Sequence, residues 1–266
     1  IEPKILVTTD GYNFNGKEIN IIEKVKEVLN SLQSVEETVL VSLINSNEVN
    51  SIKNSIFYED LLKEYESKIL EFEKLPLCHP LYIMFSSGTT GKPKCIVHCA
   101  GGVLLKHLVE VGLHSNAMDN KKFFYFTTCG WMMWNWLVSS LMLNSTICLY
   151  DGSPFYPNSD ILWRYAEEEK FHFFGTSAKY IDALSKFKNK ISEKFDLGNL
   201  ETIGSTGSPL VHESFDYVYN NIKKDVHLAS LSGGTDIVGC FVGGNPISPV
   251  YRGEIQGPIL GMDVQV

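Results

Sequence analysis

Short runs of β-branched and aromatic residues recur along the chain and predict β-strands. The runs cover residues 5–9, 38–44, 81–85, 123–126, 146–150, 171–176, 200–205 and 226–230. Between most of them, apolar residues recur at helical spacing. These positions are Ile19, Ile22, Val25, Leu29 and Leu32, then Ile52, Ile56, Leu61, Tyr65, Ile69 and Phe72, and the segments 161–169, 177–187 and 211–221. The alternation predicts an α/β fold, in which helices cover the faces of a parallel sheet.

Residues 123–150 contain no charged side chain, and such a length could cross a lipid bilayer. Polar or small residues interrupt the stretch at Thr127, Thr128, Gly130, Asn135, Ser139, Ser140, Asn144 and Ser145. They favour a strand, a turn, a helix and a second strand within a core, with a membrane span as the alternative. A boundary is indicated at residues 76–80, after a charged helical pattern at 60–74, and we expect it to separate segments of one domain.

Composition is that of a globular protein, because 44% of the 266 residues are apolar and 20% are charged. The formal net charge of -8 is spread along the chain and argues against a nucleic-acid partner. Six cysteines form no CxxC pair, and no signal peptide precedes them, so we expect reduced thiols in a cytoplasmic protein. Ile1 and the apolar strand that begins at 257–266 indicate cut ends, so we treat the chain as a fragment.

The strand predicted at 81–85 leads directly into a polar loop. The loop residues are Ser86, Ser87, Gly88, Thr89, Thr90, Gly91, Lys92, Pro93 and Lys94. Glycines let backbone N–H groups face an anion, while hydroxyls and lysines add donors and charge, a pattern typical of phosphate binding. The spacing excludes a P-loop, since Gly88 is too close to Gly91 and a proline follows Lys92. A polar turn is the alternative, and a serine nucleophile would need the missing GxSxG pattern.

Three further segments follow in order, namely FFYFTTCGWMMWNW at 123–136, GSTGSPL at 204–210 and SLSGGTDIVG at 230–239. Together with FSSGTTGKPK at 85–94, they resemble the adenylate-forming enzymes, which include acyl-CoA synthetases, luciferases and peptide-synthetase adenylation domains. DGYNFNGKEI at 10–19 is similar to the branch that activates acetate and acetoacetate. The resemblance implies that residues 1–266 are the central part of a large N-terminal AMP-binding domain with layered parallel sheets. Early strands and a C-terminal lid domain would then lie outside the chain.

The resemblance also implies a ligase that uses ATP, Mg2+ and coenzyme A. In this family the substrate carboxylate attacks the α-phosphorus of ATP, pyrophosphate leaves, and the thiol of CoA then displaces AMP. Fixed donors and Mg2+ stabilise the charge on the phosphate oxygens. The loop from Ser86 to Lys94 would close over the β- and γ-phosphates, and Thr89, Thr90 and Lys94 are its residues to test first. Lys94 and Thr235 are the candidate catalytic residues.

Two segments are implied to hold the nucleotide. The adenine-binding turn consists of Gly207, Ser208 and Pro209. Relatives often carry Glu at the position of Ser208, and an ordinary turn is the alternative for this segment taken alone. The second segment consists of Ser230, Leu231, Ser232, Gly233, Gly234 and Thr235. The Thr235 hydroxyl would contact the α-phosphate, and Asp236, where relatives usually have Glu, would hold Mg2+.

The acid is implied to lie in a pocket lined by Trp131 and Gly233, while Trp134 and Trp136 pack the core. Acetate-specific relatives carry Thr at the position of Met133 and a bulky Trp at that of Gly233. A glycine would leave room for acetoacetate, and Gly233→Trp is expected to shift the preference towards acetate. The expected partners are acetoacetate, ATP and CoA, with neither a nucleic acid nor a membrane.

His98, His107 and His114 follow the phosphate loop and could suggest a catalytic or metal role. No partner acid or second histidine pair accompanies them, so surface or hydrogen-bonded core histidines are expected. The open alternatives for the whole chain are a ligase for another short or medium-chain acid, a phosphate-binding module without ligase activity, and a membrane protein. The family's ribose-binding Asp, hinge and catalytic Lys would lie after Val266, so the 266 residues alone are expected to form no adenylate.

Overall fold

A computed structural model describes residues 1–86 and 91–265 of the chain. The described residues divide into two compact units, one of 1–73 with 151–158 and one containing the rest. The division lies just before residues 76–80, where the sequence indicates a boundary. Every residue of the candidate site described below belongs to the second unit.

The first unit contains a small parallel sheet with two helices. Its elements are β1 (Ile5–Thr9), β2 (Gly11–Phe14), β3 (Lys17–Asn20), α1 (Ile22–Ser31), β4 (Glu37–Val41), the 3-10 turn Asn47–Ser51, β5 (Ser55–Phe57) and α2 (Tyr58–Glu64). The strands β1, β4 and β5 pair in that order, all parallel. The buried residues Ile22, Val25, Leu40 and Ile52 form the core of this unit.

The helix predicted from Ile19 begins three residues later, because β2 and β3 form a hairpin that the apolar spacing does not predict. Asn15 and Gly16 connect the two strands with φ values of +56° and +76°. Positive φ at both central residues is what a tight type I′ hairpin turn requires, and Asn-Gly is its preferred pair. Ile19 therefore lies in β3, and α1 starts at Ile22.

The helix predicted across residues 52–72, with its charged part at 60–74, is much shorter than predicted. Residues 55–57 join the sheet as β5, and only Tyr58–Glu64 is helical. Ile69 and Phe72 are 91% and 82% exposed, so the apolar stripe of the pattern meets no core. A short helix without tertiary packing is marginal in water, which explains why the pattern produces no helix there.

The second unit contains a five-stranded parallel sheet, a hairpin and a smaller antiparallel sheet. Its first elements are β6 (Pro80–Ser86), β7 (Lys94–Cys99), α3 (Ala100–His107), the π-helical turn Leu108–His114, β8 (Lys122–Tyr125), α4 (Met132–Val138), the 3-10 turn Ser139–Leu143, β9 (Thr146–Cys148), α5 (Ile161–Glu169), β10 (Phe173–Ser177) and α6 (Ala178–Lys186). There follow the 3-10 turn Ile191–Glu193, β11 (Thr202–Thr206), α7 (His212–Tyr217), the π-helical turn Val218–Ile222, β12 (His227–Ser230), β13 (Ser232–Gly234), the 3-10 turn Thr235–Ile237, β14 (Gly239–Gly243) and β15 (Gly257–Pro258).

The five-stranded sheet has the order β12-β11-β10-β8-β9, and all its pairs are parallel. Phe123 of β8 and Phe173 of β10 are register partners, and their rings stack with centroids 5.0 Å apart. Both are buried with Trp136 and Leu137 of α4. The uncharged stretch 123–150 therefore forms the predicted strand, turn, helix and strand. Among the described residues, no helix is long and apolar enough to cross a membrane.

The helices after β9 and β10 occupy the predicted segments, whereas the last two apolar segments differ from the prediction. The helix predicted at 211–221 is α7 followed by a π-helical turn. The strand predicted to begin within 257–266 is only two residues long, because Pro258 has no N–H to donate and a turn follows from Ile259 to Met262. In both segments, the α-helix or β-strand ends before the run of apolar residues does.

Candidate functional site

A pocket of about 470 Å³ opens in the second unit where β11 and β12 end. The carboxyl ends of parallel strands are the usual binding edge of an open α/β sheet. Predicted site residues from three separate segments line this pocket: Trp131, Gly207, Ser208, Pro209, Ser230, Leu231, Ser232, Gly233, Gly234 and Thr235. The fold therefore brings these segments to one cavity.

The turn that starts at Gly207 is tied to the segment after β12. Gly207 has a φ of +87°, a left-handed conformation that glycine adopts without strain. The Thr206 hydroxyl donates to the Leu231 carbonyl oxygen at 2.9 Å, and the Leu231 N–H donates to the Ser205 carbonyl oxygen at 2.8 Å. A Cβ on Gly207 would lie 4.0 Å from Cζ2 of Trp131, so the indole lies beside the turn.

Thr235 begins the 3-10 turn between β13 and β14. Its carbonyl oxygen accepts a hydrogen bond from the Val238 N–H at 3.2 Å, which closes the turn. The same oxygen accepts a second hydrogen bond from Nε2 of His98 at 2.7 Å. Thr235 is half-buried, whereas Asp236 is exposed. Val238 has a φ of +49°, a conformation that costs a β-branched residue about 1–3 kcal/mol. The surroundings must therefore stabilise this turn.

Three side chains of α3 and the π-helical turn after it hold the backbone that follows. Nε2 of His107 donates to the Val238 carbonyl oxygen at 2.6 Å, and Nζ of Lys106 donates to the Cys240 carbonyl oxygen at 2.7 Å. Glu110 accepts the Cys240 N–H at 2.8 Å and pairs with Lys106 at 3.0 Å. We refer to Lys106, His107 and Glu110 as the buried clamp, since together they fix the start of β14.

Of the buried clamp, His107 and Glu110 are fully buried and Lys106 is partly buried. Glu110 is 2% exposed and also accepts Nε1 of Trp136 at 3.0 Å. Burial lowers the pKa of His107 and raises the pKa of the Cys240 thiol. At neutral pH His107 is therefore uncharged, and its Nδ1 lies 2.7 Å from the Ser139 hydroxyl oxygen. Trp136 has a packing role in this core, as predicted.

Each of the three histidines after the phosphate loop has a hydrogen-bond partner. His114 is buried, and its Nδ1 donates to the Gly244 carbonyl oxygen at 2.7 Å while its Nε2 accepts the Leu260 N–H at 3.1 Å. His107 belongs to the buried clamp, and His98 bonds the Thr235 turn. The expectation of hydrogen-bonded core histidines is confirmed for His107 and His114.

The predicted phosphate loop connects β6 to β7. Ser86 ends β6 and Lys94 begins β7, and the two residues are partners in the antiparallel pairing. Gly91 has a φ of +124°, and both Gly91 and Lys92 are exposed. The predicted loop residues Ser87, Gly88, Thr89 and Thr90 lie outside the described residues. The described flanks thus form the two strands of a hairpin whose lysines face solvent.

Asp236 is the residue predicted to hold Mg2+. Within 1–86 and 91–265, no group of three or more His, Cys, Asp or Glu could hold a metal ion. Mg2+ usually takes one or two protein carboxylates and completes its shell with water and substrate phosphates. Thr235 lines the pocket, and the exposed carboxylate of Asp236 follows it directly in the sequence. A single exposed carboxylate beside the pocket fits that mode of binding.

Comparison with known proteins decides the family. The sequence matches the model of the AMP-binding enzymes over residues 1–266. The chain belongs to the AMP-binding enzyme family. This confirms the resemblance to adenylate-forming enzymes that four sequence segments indicate.

Individual AMP-binding enzymes are similar over the whole chain. It is 52% identical to the acetoacetyl-coenzyme A synthetase of Rhizobium meliloti, over 100% of this chain and 41% of that protein. It is 46% identical to the acetoacetyl-CoA synthetase of Gallus gallus, over 100% of this chain and 41% of that protein. The solved structure of acetoacetyl-CoA synthetase from Streptomyces lividans matches with a TM-score of 0.90 and 39% identity, over 98% of this chain and 40% of that chain. The chain thus spans about 40% of the length of these relatives, and the predicted α/β fold is confirmed.

Gly233 lines the pocket, but its environment does not permit the substitution expected from the sequence. A Cβ on Gly233 would overlap the Gly239 carbonyl oxygen and lie 2.6 Å from Cα of Cys240. These atoms are backbone of β14 and cannot move aside as a flexible side chain would. Gly233→Trp would therefore displace the backbone of β14. The substitution would not change the pocket volume alone, so it does not test the preference for acetate.

Several further residues line the pocket of this AMP-binding enzyme and were not predicted as site residues, namely Met132, Thr206, Leu210, Cys240, Gly253 and Ile255. Met133, which is buried, also lines the pocket. Gly253 and Ile255 come from the connection between β14 and β15. That connection is held by Gln256, whose Nε2 donates to the carbonyl oxygens of Asn245 and Ser248, both at 2.9 Å. No motif marks this connection, so only the fold could reveal it.

Proposed function

We propose that the protein containing this chain is an ATP-dependent acid–thiol ligase that activates acetoacetate and transfers it to coenzyme A. The observation that carries this proposal is the convergence of Trp131, the Gly207 turn and residues 230–235 on one pocket. Membership of the AMP-binding enzymes supports a nucleotide as an occupant. The names of the Rhizobium meliloti, Gallus gallus and Streptomyces lividans proteins support acetoacetate and CoA as the other substrates.

In the first step of the proposed reaction, the acetoacetate carboxylate attacks the α-phosphorus of ATP and pyrophosphate leaves. The Thr235 hydroxyl would donate to an α-phosphate oxygen, and Lys94 with the loop hydroxyls would hold the β- and γ-phosphates. Fixed donors of this kind stabilise charge as it develops in the transition state. Mg2+, held by Asp236 and phosphate oxygens, would neutralise part of that charge. In the second step, the CoA thiol displaces AMP from the acyl-adenylate.

The remaining pocket residues would position the substrates. Gly207, Ser208 and Pro209 would lie along the adenine ring, where the left-handed φ of Gly207 turns the backbone across the end of β11. Trp131 would line the part of the pocket that takes the acid, with its indole beside this turn. The segment 230–235 would follow the nucleotide from ribose to α-phosphate.

We further infer that residues 1–266 correspond to the central part of the large N-terminal domain. Coverage of about 40% of each relative supports this extent. The early strands, and the lid domain with the catalytic Lys, would belong to the rest of the protein. The free cysteines of the described residues support a cytoplasmic location. Residues 1–266 alone should catalyse no ATP–pyrophosphate exchange with acetoacetate, and measurable exchange would contradict this extent.

Pyrophosphate release by the full-length protein tests the proposed function. Acetoacetate, acetate and butyrate are compared at equal concentration, with and without CoA. The proposal expects the highest kcat/KM with acetoacetate and release of AMP that requires CoA. A preference for acetate or butyrate would assign another short acid to the same chemistry, and nucleotide binding without release would leave a binding module.

A further inference from the structure

His98 lies on the strand that leaves the predicted phosphate loop. Side chains alternate between the two faces of a strand, so Lys94 and His98 of β7 share one face. Their partners on β6, Ser86 and Tyr82, share the same face of the hairpin. Tyr82 packs against the core of the second unit. His98 is half-buried on this face, and the two ends of the loop lie at the far end of the same face, where Lys94 is exposed.

The imidazole of His98 joins this hairpin to a turn 137 residues away. Its Nε2 lies 2.7 Å from the Thr235 carbonyl oxygen, and because a carbonyl oxygen can only accept, the nitrogen must carry the proton. The peptide unit after Thr235 is planar, so fixing its oxygen also fixes the N–H of Asp236. This hydrogen bond thus ties the hairpin to the turn that presents the Thr235 hydroxyl and the Asp236 carboxylate.

The turn does not need His98 in order to form. The Thr235 carbonyl oxygen also accepts the Val238 N–H within the turn, and the buried clamp holds the residues that follow. The bond from His98 has a different effect, since it connects the turn to the strand that follows the loop. Its removal should leave the fold intact and loosen the alignment of the two elements.

We propose that His98 is a positioning residue that aligns the hairpin of β6 and β7 with the Thr235 turn, so that Lys94 and Thr235 contact the same triphosphate. This inference rests on the proposed function, because it assigns both elements to one nucleotide. Alignment of this kind matters most when charge develops at the α-phosphorus, so it should act on kcat for adenylation more than on nucleotide affinity.

The test compares two substitutions at His98 in the full-length protein. His98→Phe keeps an aromatic ring without a donor, and His98→Gln places an amide N–H at similar reach. Val97→Ala is the matched control, since Val97 is on the opposite, exposed face of the same strand. The readouts are kcat and KM for ATP in acetoacetate-dependent ATP–pyrophosphate exchange, AMP affinity by calorimetry, and the melting temperature.

His98→Phe should lower kcat by about 10- to 100-fold, with AMP affinity within about threefold and Tm within about 2 °C of the unmodified protein. His98→Gln should recover most of kcat, and Val97→Ala should change none of the readouts. Unchanged kcat in His98→Phe, or loss of activity in His98→Gln as severe as in His98→Phe, would overturn the inference. If His98→Phe does not fold, His98→Ala replaces it as the variant without a donor. A kcat of His98→Gln well above that of His98→Ala is then expected, and equal values would overturn the inference. An unmodified protein without exchange would contradict the proposed function instead.

Discussion

The segment that carries Thr235 has two halves that are held differently. The inner half, Val238 to Cys240, is buried, and the buried clamp bonds its carbonyl oxygens and an N–H. The outer half, Thr235 and Asp236, is half-buried to exposed and is joined to the hairpin by His98. Burial makes the inner half costly to disturb, whereas the outer half keeps its hydroxyl and carboxylate accessible to a ligand. Stability and activity should therefore respond to different substitutions only a few residues apart.

Removing the carboxylate of the buried clamp should give the largest effect on stability. Glu110→Ala leaves the Lys106 ammonium without its carboxylate partner, and the Cys240 N–H and the Trp136 Nε1–H without an acceptor. Breaking a buried ion pair by removing one partner costs about 3–5 kcal/mol. We expect a loss of that size in the free energy of unfolding, measured by urea denaturation of the full-length protein.

Two controls separate the loss of the clamp from the loss of any glutamate. Glu110→Gln keeps one acceptor and the shape of the side chain, so it should cost less than Glu110→Ala. Glu193 forms an exposed pair with Lys190 on the surface, and Glu193→Ala should change stability by less than about 1 kcal/mol. Equal losses for Glu110→Ala and Glu193→Ala would mean that the clamp contributes no more than a surface pair.

The approach of β13 to β14 gives a second, smaller effect. Gly233→Ala adds a Cβ that overlaps the Gly239 backbone, and overpacking of this kind costs about 1–3 kcal/mol. Gly234→Ala is the matched control one residue away, because its Cβ would meet only ordinary contacts, the nearest at 3.6 Å from Oδ2 of Asp236. Urea denaturation should show the loss for Gly233→Ala and little change for Gly234→Ala. Similar stability for the two variants would show that β14 yields easily at this point.

The sequence predicts the parallel sheet well, because its strands contain β-branched and aromatic residues and most of their residues are buried. It also indicates which segments meet at the pocket, since β11 and β12 end at the same edge. The helix predicted at 52–72 is too long because periodicity cannot tell whether a core exists for Ile69 and Phe72. The hairpin at Asn15-Gly16 was detectable from its turn pair.

The clamp and the partner of His98 were beyond prediction from the sequence. Lys106, His107 and Glu110 act on the backbone of Val238 and Cys240, more than a hundred residues later. Backbone groups are the same at every position, so no residue pattern marks the acceptor. Gly233 shows the same limit, because its glycine is required by the backbone of β14 as well as by the pocket.

The pH dependence of stability gives the smallest effect and tests the inner half. Burial lowers the pKa of His107, the hydrogen bond to the Val238 carbonyl oxygen and the charge of Glu110 raise it, and Lys106 and His98 lower it. The folded pKa is thus below the unfolded value of about 6.5, so the unfolded chain binds more protons between the two values. Stability should therefore fall as pH falls through that window, by at most about 1.4 kcal/mol per pH unit from this group.

His107→Gln, which can still donate to the Val238 carbonyl oxygen, isolates this contribution. Burial also lowers the pKa of His172 and His227, but both histidines remain in the variant, so the difference in slope reports His107 alone. Urea denaturation between about pH 7.5 and 5.5 should show a shallower loss for His107→Gln than for the unmodified protein. Identical slopes would mean that His107 takes up a proton in the folded protein as readily as in water. The inner half would then be as accessible to solvent as the outer half. The two halves would differ only in the ion pair of Lys106 and Glu110 that contacts the inner one.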